Sequence, residues 1–489
     1  MSKKSGKIIE LEISGLTKRG NGLALYQPVP QTEGNVQWQV EVPFAIPGDK
    51  VCVQLLRKKS GMYASQLLEI TQSSPQRIAP RCIHFGVCGG CRWQQIPYTQ
   101  QLQRKEQMVR DGLSSMLTSA AVFHPICACD PPWAYRNKME FSFSSNAAQE
   151  QFLGLIKDAG RGKVVSLTEC HLVNPWFTTA LETVKNWWKE SGLDAYHMHR
   201  NTGALRTLTV REGQRTGDRM VMLTVSGDPD YAIAKEKLEA FVAALRATIE
   251  PQNDTLGRLS IFLRIQQVAK GMKTNFFEML LYGPDHIREI LHIRQNGAAE
   301  SYPLTFKISP SAFFQPNTRQ SEKLYSLALG LADITPESIV YDLYCGTGTL
   351  GICAAKCAKK VVGIELSPES SLDARTNAAD NGLFLTIHTG DVGRVLAKLR
   401  QEAEAQNNLE RPDLVMIDPP RVGLDAAAIG HILDLRPAQI IYISCNPVSQ
   451  AANLAEMLPR GYQIVAVQPV DQFPHTVHIE NIVVLRRCD

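Results

Sequence analysis

The chain has 489 residues, of which 44% are hydrophobic and 20% are charged, as is ordinary for a globular protein of two to four domains. Its first residues lack the apolar core of a signal peptide, and no run of eighteen apolar residues is present further along. We therefore expect a soluble, cytoplasmic protein with no membrane partner, whose cysteines are reduced or bound to a cofactor.

Positive charge is concentrated at the start of the chain. Residues 1–110 hold 15 Lys and Arg against 7 Asp and Glu, a net charge of +8, whereas the whole chain carries only +4. This asymmetry predicts a polyanion as the partner of the N-terminal part, with a merely solvated basic surface as the alternative.

The first predicted domain covers residues 1–72. Within it, residues 7–71 alternate five short β-type runs with Gly, Pro and Asn. This spacing is typical of a small five-stranded barrel of the oligonucleotide-binding type, here called OB-like. The segment SSPQ (73–76) links this domain to a cysteine-rich stretch.

That stretch reads RCIHFGVCGGCRWQQ (81–95) and contains a dense group of cysteines. Cys82, Cys88 and Cys91 lie within ten positions. A close trio with one remote cysteine is a frequent ligand set of iron–sulfur clusters. Cys170 is our candidate for the remote ligand, because turn-forming residues and a predicted helix start come directly after it.

Other ligand sets remain open at this point. Cys127 and Cys129 compete with Cys170, although they alternate in an apolar segment and resemble part of a strand. A zinc site that combines the trio with His84 or His171 is the other alternative, but structural zinc sites usually use two paired cysteine clips.

The second predicted domain covers residues 73–300 and mixes strands and helices without strict alternation, which indicates an α+β domain. A helix near 98–117 is a candidate for packing against the C-terminal domain. Basic residues on two predicted strands are candidate phosphate contacts, with solvated strand edges as the alternative; they are Arg136, Lys138, Arg206 and Arg211.

The third predicted domain covers residues 301–489. From about residue 336 onward, strands and helices alternate cleanly. This pattern predicts an α/β, Rossmann-like domain with a doubly wound parallel sheet, whose ligand edge lies at the carboxyl ends of the strands.

A glycine loop comes after the first strand of this domain. Gly346, Gly348 and Gly351 satisfy G-x-G-x-x-G, and Glu365 ends the second strand 17 residues beyond Gly348. An acidic residue there binds ribose hydroxyls both in dehydrogenases and in S-adenosylmethionine-dependent methyltransferases. The loop alone does not separate these two classes.

Two later strand ends favour a methyltransferase. Asp418 ends the fourth strand in IDPPR, and Cys445 ends the fifth in ISCNP. A dehydrogenase needs neither, whereas methylation of pyrimidine carbon 5 needs a thiolate that first adds to carbon 6. The alternative for Cys445 is a buried, inert thiol, but the Asn-Pro directly after it should expose it.

Methylation at carbon 5 also needs a base that removes the displaced proton. If the last two strands form an antiparallel pair, Glu480 begins the final strand at the ligand edge. His475 and His478 are the competing candidates.

Taken together, the motifs resemble the family of RNA uridine-carbon-5 (m5U) methyltransferases, most closely its bacterial 23S ribosomal branch. The resemblance extends over nearly the whole chain and rests on YRNKMEF, TGALRTLTVR, ISPSAFFQPN, DLYCGTGTLG, GIELS, IDPPRVGL, ISCNP and FPHTVHIE, besides the cysteine trio. It implies that residues 7–71 form a TRAM barrel.

The resemblance also implies roles for individual residues. A 4Fe-4S cluster is expected on Cys82, Cys88, Cys91 and Cys170. S-adenosylmethionine is expected on Gln315, Tyr344, Glu365 and Asp418, with Asp391 at its adenine end. The expected nucleophile is Cys445 and the expected base is Glu480, with Asp418 also able to accept a hydrogen bond from uracil N3.

The predicted function is therefore methylation of a flipped uridine in 23S rRNA by a monomeric enzyme with a structural cluster. The alternatives are a tRNA uracil-5 methyltransferase, an RNA cytosine-5 methyltransferase, a non-catalytic RNA chaperone and, for the cluster alone, a redox-sensing role.

Overall fold

The computed structural model describes residues 6–27, 37–158, 162–268, 271, 273–295, 300–405 and 411–488. The chain forms two compact units. The smaller consists of Met1–Arg104, Ile156–Val165 and Phe473–Val477, and the larger of Lys105–Leu155, Ser166–Gln472 and His478–Asp489.

The strands are, in chain order, β1 (Ile8–Glu12), β2 (Gly15–Leu16), β3 (Gly22–Tyr26), β4 (Trp38–Val42), β5 (Lys50–Lys59), β6 (Met62–Gln72), β7 (Val122–Phe123), β8 (Lys138–Ser145), β9 (Gln151–Ile156), β10 (Val164–Ser166), β11 (Leu205–Glu212), β12 (Arg219–Ser226), β13 (Leu259–Gln267), β14 (Asn275–Tyr282), β15 (Ile287–Arg294), β16 (Ser301–Ile308), β17 (Ile339–Leu343), β18 (Lys360–Glu365), β19 (Thr386–Thr389), β20 (Leu414–Ile417), β21 (Gln439–Ser444), β22 (Tyr462–Val470) and β23 (Glu480–Arg487).

The α-helices are α1 (Tyr98–Leu113), α2 (Trp176–Ser191), α3 (Lys235–Ile249), α4 (Thr318–Gly330), α5 (Thr349–Ala355), α6 (Pro368–Asp380), α7 (Val392–Ala405), α8 (Ala426–Asp434) and α9 (Pro447–Met457). Helix α1 ends four residues before its predicted end. The hydroxyl of Ser114 donates to the carbonyl of Asp111 at 3.0 Å, a local bond that competes with continued helix.

The smaller unit contains a sheet in the order β1-β5-β6-β4-β3-β2. Each of the five predicted β-type runs contains one of its strands, and the two-residue strand β2 is additional. Apolar side chains alternate along these strands, so that Ile9, Leu11, Val40, Val51 and Val53 are buried in one core. The assignment to the OB-like class stays a prediction.

In the larger unit, strands β9-β8-β11-β12-β13-β14 are neighbours in that order, and β15 and β16 form an antiparallel hairpin. Helix α2 buries an apolar stripe that includes Val184 and Trp188. The sequence pattern did not predict this hairpin, although buried and exposed side chains alternate along β15.

A second sheet of the larger unit has the order β19-β18-β17-β20-β21-β23-β22-β7. Strands β17 to β21 are parallel, and β23 runs antiparallel to both β21 and β22. The strand order reverses between β17 and β20, which is where doubly wound sheets bind their ligands. The predicted doubly wound sheet is therefore present.

One hydrophobic core connects the two sheets of the larger unit. It joins Met220 and Met222 of β12 and Phe306 of β16 to Ile441 of β21. Val109 and Leu113 of α1 belong to a second core on the doubly wound sheet. The predicted boundaries at residues 72 and 300 stay predictions, since the compact units divide the chain elsewhere.

Among the helices that the structure describes, none combines the length and apolarity needed to cross a bilayer.

Breaking a buried ion pair should lower the stability of the protein strongly. Lys105 of α1 and Asp471 after β22 are fully buried and 2.5 Å apart. Asp471→Ala removes this carboxylate from beside a fully buried ammonium group, so we expect the free energy of unfolding to fall by about 3–5 kcal/mol, measured by urea unfolding. The double variant Lys105→Met/Asp471→Leu should be close to wild type.

The control is the exposed pair Arg486–Asp333, 2.6 Å apart. Asp333→Ala should change the free energy of unfolding by at most about 1 kcal/mol. Equal effects of the two single substitutions would contradict the prediction.

Candidate functional site

The predicted site residues meet at the carboxyl edge of the doubly wound sheet. Five parallel strands each contribute one residue at or just after their ends; these are Tyr344, Glu365, Asp391, Asp418 and Cys445. Glu480 is the first residue of β23, which starts at the same edge because it runs antiparallel to β21. The fold therefore brings these predicted residues to one rim.

Cys445 and Glu480 are neighbours across two paired strands. In the register of β21 and β23, Ser444 is opposite Asn481, so the next position on each strand is Cys445 and Glu480. Burial raises the pKa of the Cys445 thiol to about 11, and the negative charges of Glu480 and then Asp418 contribute to this shift. The thiol thus lies within the field of both carboxylates.

Asp418 and Glu480 form a buried pair of acids. Burial raises the pKa of Asp418 to about 7, opposed by a hydrogen bond from the Gln315 side chain. Burial, and then the charge of Asp418, raise the pKa of Glu480 well above its ordinary value. Glu480 is 3% exposed, and its Oε2 atom has no hydrogen-bond partner in the described part of the chain. This oxygen therefore has an unused capacity for a hydrogen bond.

Arg421, in the IDPPR motif, is a residue that the sequence analysis overlooked. Its positive charge lowers the pKa of Cys445, against the effect of the carboxylates. Its carbonyl accepts hydrogen bonds from the Asn446 amide at 3.0 Å and the Ser449 hydroxyl at 3.1 Å, which anchors it beside the start of α9. Its position directly after the Pro-Pro at a strand end was the available signal.

The glycine loop between β17 and α5 is held by Asp342, a second residue that the sequence analysis overlooked. Its Oδ2 accepts the Gly351 amide at 2.7 Å. A Cβ at Gly351 would lie 2.8 Å from the same oxygen, so a larger residue would displace the carboxylate. Burial raises the pKa of Asp342 to about 8. The loop also places Tyr344 in the left-handed region, at φ 64°.

Glu365 stabilises the same loop. Its Oε2 accepts the Gly346 amide at 3.0 Å, and its Oε1 accepts the Ser367 amide at 2.7 Å. Each carboxylate oxygen has a second lone pair, so Glu365 can still accept hydrogen bonds from two hydroxyl groups. Two backbone bonds fix the orientation that such binding needs.

Gln315 lies in the loop before α4 and is 6% exposed. The Asn137 side chain donates to its carbonyl at 3.0 Å and to the Thr318 hydroxyl at 3.0 Å. The side chain of Asn317 caps α4 by accepting the Gln320 amide at 3.2 Å. The backbone around Gln315 is therefore held, and its side chain bonds Asp418.

Asp391 is exposed at the same edge, where its Oδ1 accepts the Arg394 amide at 3.1 Å in the first turn of α7. It helps to begin the helix, and its charge raises the pKa of Tyr344 together with burial and Asp425.

The competing histidines have other partners. Arg421 donates to Nδ1 of His478 at 3.4 Å on the surface. His475 belongs to the smaller unit, where its carbonyl accepts the amides of Arg92 and Trp93 at 2.9 and 3.1 Å. These contacts favour Glu480 as the candidate base.

The cysteine trio lies in one loop of the smaller unit. The Gly90 amide donates to Sγ of Cys88 at 3.4 Å. Burial raises the pKa of Cys88, and the nearby charge of Cys82 acts in the same direction. However, among the described residues no group of three or more His, Cys, Asp or Glu has the arrangement of a metal site. Cys170 belongs to the larger unit.

The alternative cysteines contact α4 and its cap. The side-chain amide of Asn317 donates to Sγ of Cys129 at 3.4 Å, and burial raises the pKa of this thiol to about 11. The carbonyl of Cys127 accepts the Gln320 side chain at 3.0 Å. Both residues thus have a packing role beside the helix.

The predicted phosphate contact at Arg211 is wrong. Its side chain is buried and donates to the carbonyl of Ala312 at 2.8 Å, in the field of Glu289 and Asp373. The guanidinium of Arg206 lies 3.4 Å from the ring centre of Tyr196. Burial lowers the pKa of Lys138 to about 8, with Arg211 contributing. Arg211 is thus structural, whereas phosphate contact at Arg136, Lys138 and Arg206 stays a prediction.

Comparison with known proteins agrees with this geometry. The sequence profile of the tRNA (uracil-5-)-methyltransferase family matches residues 246–488. An RNA methyltransferase of Protochlamydia amoebophila is 55% identical, over 91% of this chain and 99% of its own length. One from Clostridium tetani is 32% identical over the full length of both chains.

Among solved structures, the tRNA (uracil-54, C5)-methyltransferase of Pyrococcus abyssi in complex with S-adenosyl-L-homocysteine aligns with a TM-score of 0.69 and 22% identity. The alignment covers 98% of this chain and all of that one. The fold and site thus define a Rossmann-like methyltransferase. The chain belongs to the family of RNA uracil-5 (m5U) methyltransferases, which are S-adenosylmethionine-dependent enzymes.

The reactivity of Cys445 should report the field of the two carboxylates. Above the raised pKa of Glu480, where both carboxyl groups are ionised, Glu480→Gln and Asp418→Asn each remove a negative charge that disfavours the thiolate, so the pKa of Cys445 should fall. Below that pKa, each unit of decrease should speed alkylation by iodoacetamide about tenfold. Mass spectrometry can follow the rate at Cys445 relative to that at the exposed Cys488.

The matched control is Glu337→Gln, which removes an exposed charge just before β17, at the opposite edge of the sheet. It should leave the rate at Cys445 unchanged. An equal rate in all four proteins would show that the carboxylates do not act on this thiol.

Proposed function

We propose that this enzyme methylates carbon 5 of a flipped uridine in 23S rRNA through a covalent bond between Cys445 and carbon 6. The observation that carries the proposal is the register of β21 and β23, which makes Cys445 and Glu480 neighbours at the rim beside the glycine loop. A thiol and a buried carboxylate in this relation suit both halves of carbon-5 chemistry.

The reaction begins when the Cys445 thiolate adds to carbon 6, which makes carbon 5 nucleophilic. Bound S-adenosylmethionine supplies an electrophilic methyl group on its sulfonium. Glu480 then accepts the proton of carbon 5, and the bond between the Cys445 sulfur and carbon 6 breaks to return the thiolate. The raised pKa of Glu480 makes its ionised form a stronger base for this step.

Asp418 holds the uracil in this proposal. As a carboxylate it accepts the N3 hydrogen bond, and the Gln315 side chain that bonds it keeps it oriented. With a pKa near 7, a protonated Asp418 is also accessible, and this form would suit the N3 acceptor of cytosine. The preference for uracil over cytosine as the substrate base is therefore supported by family membership and not by the charge state of Asp418.

The cofactor contacts follow from the same rim. Glu365 would accept hydrogen bonds from the ribose hydroxyls through its remaining lone pairs, and Tyr344 would pack on the cofactor beside the loop. Asp391 would serve the adenine end. These roles fit the two backbone bonds that orient Glu365.

The proposal of 23S rRNA is supported by the resemblance of the motifs to the 23S ribosomal branch of the family. The net charge of +8 on residues 1–110 suits an RNA partner of either kind. Transfer RNA is the second candidate, because the matched family profile and the aligned Pyrococcus abyssi enzyme are both named for tRNA. A monomer in the cytoplasm remains our proposal for the working state.

Covalent trapping tests the mechanism. We incubate the enzyme with S-adenosylmethionine and 23S rRNA or tRNA transcripts that contain 5-fluorouridine. We expect a denaturation-resistant adduct on 23S rRNA, because a base cannot remove fluorine from carbon 5 as it removes a proton. Cys445→Ala should abolish the adduct. With ordinary RNA, Glu480→Gln should lower turnover by about 10²–10⁴-fold and accumulate the methylated adduct.

Cys488→Ala is the matched control, since this thiol is exposed and lies beyond the other end of β23. It should trap RNA like the wild type. An adduct that persists in Cys445→Ala would refute the proposed nucleophile, and trapping of tRNA alone would assign the second substrate.

We further propose a structural 4Fe-4S cluster on Cys82, Cys88, Cys91 and Cys170. Its support is the crowding of the trio, where the charge of Cys82 raises the pKa of Cys88 and the Gly90 amide donates to sulfur. Thiolates that repel one another in this way are stabilised by a cationic iron–sulfur core. The methyl transfer itself needs no electron, so no step depends on the cluster.

Anaerobic purification tests the cluster. We expect about four irons and four acid-labile sulfides per chain and visible absorption. Cys88→Ser and Cys170→Ser should lose both, while Cys488→Ser should retain them. A colourless protein that contains zinc would instead support the zinc alternative with the same thiols.

A further inference from the structure

A groove lies along one face of α4 and contains none of the residues of the proposed site. Its volume is about 920 Å³. Arg319, Lys323, Leu327 and Leu331 line it at intervals of four residues, the spacing of one helix face. The methyl-transfer mechanism uses none of these side chains.

The other walls of this groove, the α4 groove, add mostly positive charge. They include Arg215 and His124 from the neighbouring loops, and His292 and Arg294 from β15. The acidic lining residues are Asp130 and Glu322, against three arginines and one lysine, so the described lining carries a net charge of +2 before either histidine is protonated. The groove therefore favours an anionic ligand.

Two of these cations are available to a ligand. Arg215 is paired with Glu322 at 2.7 Å, and the Lys323 ammonium donates to the Ala128 carbonyl at 3.0 Å. Arg294 and Arg319 are exposed, and neither has a carboxylate partner in the part of the chain that the structure describes. Exposed guanidinium groups in a concave surface suit phosphate oxygens.

The groove extends toward the proposed site. A smaller cavity of about 150 Å³ shares Asp130 and Arg319 with it. Trp133 and Tyr135 line this second cavity together with Asn317, which lies two residues beyond Gln315. The two cavities therefore adjoin at Asp130 and Arg319, and the smaller one borders the loop that contains Gln315. Alternation of basic and aromatic groups is the usual lining of single-stranded RNA paths.

We infer that the α4 groove binds the phosphodiester backbone of the substrate RNA on one side of the flipped uridine. Arg294 and Arg319 contact successive phosphates, and Trp133 offers a stacking surface between them and the active site. This inference rests on the proposed function, because it takes the same RNA as the ligand. The groove is several times larger than a single phosphate needs, which favours a polymer over a free anion.

Charge reversal tests this inference in the full-length protein. Arg294→Glu/Arg319→Glu should weaken binding of a 23S rRNA fragment about tenfold or more at low salt. If two phosphate contacts are lost, the slope of log K against log salt concentration should shrink by about 1 to 2. Binding of S-adenosylmethionine should be unchanged, because neither residue contacts the rim.

The matched control is Lys359→Glu/Lys398→Glu, which makes the same change in net charge at exposed positions of the larger unit. It should retain the wild-type slope. The milder pair Arg294→Gln/Arg319→Gln repeats the measurement if charge reversal lowers the melting temperature. Equal loss in the groove and control variants, or no loss in either, overturns the inference.

The experiments distinguish a failure of the groove inference from a failure of the proposed function. A 5-fluorouridine trinucleotide, too short to reach the groove, should still be trapped by Arg294→Glu/Arg319→Glu at high concentration. Normal trapping with an unchanged salt slope would reject the groove and leave the enzyme function intact. If the wild type traps no RNA but the groove variant still shows the smaller salt slope, the proposed function is rejected and the groove remains an RNA-binding site.

Discussion

The antiparallel pairing of β23 with β21 is the constraint on which the site depends. A wholly parallel sheet would place Cys445 and the start of the last strand at opposite rims. Strand β22 runs antiparallel to β23, so β23 starts at the carboxyl edge. Ser444 pairs with Asn481, and the next residue on each side of this pair is Cys445 and Glu480. Thiol and carboxylate therefore become neighbours through backbone hydrogen bonds, which are rigid compared with side-chain contacts.

Burial then determines how these groups behave. Water is largely excluded around Asp418 and Glu480, so each charge affects the other and both act on Cys445. Burial thus disfavours the charged forms of both acids and of the thiol. Arg421 favours the thiolate of Cys445, and the Gln315 side chain favours the carboxylate of Asp418. Both groups therefore oppose the effect of burial.

The continuous core of the larger unit explains how distant segments serve one site. Strand β12 of the first sheet and β21 of the second contribute to one apolar cluster, and the Asn137 side chain holds the backbone at Gln315. The same packing buries Arg211, whose guanidinium donates to the Ala312 carbonyl inside the unit. A basic residue on a strand therefore says little about RNA, whereas basic residues on the open face of α4 are accessible to it.

The sequence by itself determined the doubly wound sheet and the residues at its strand ends, because apolar runs, glycine turns and the positions of Cys445 and Asp418 are local signals. It did not reveal the β15–β16 hairpin, the burial of Arg211, or the role of Asp342. These three features depend on which surfaces of the folded chain pack together. The short apolar runs of the hairpin have the same sequence pattern as apolar runs that form no strand. Only the tertiary structure could decide how burial shifts the pKa values of Asp418 and Cys445, since those shifts arise from neighbours far away in the chain.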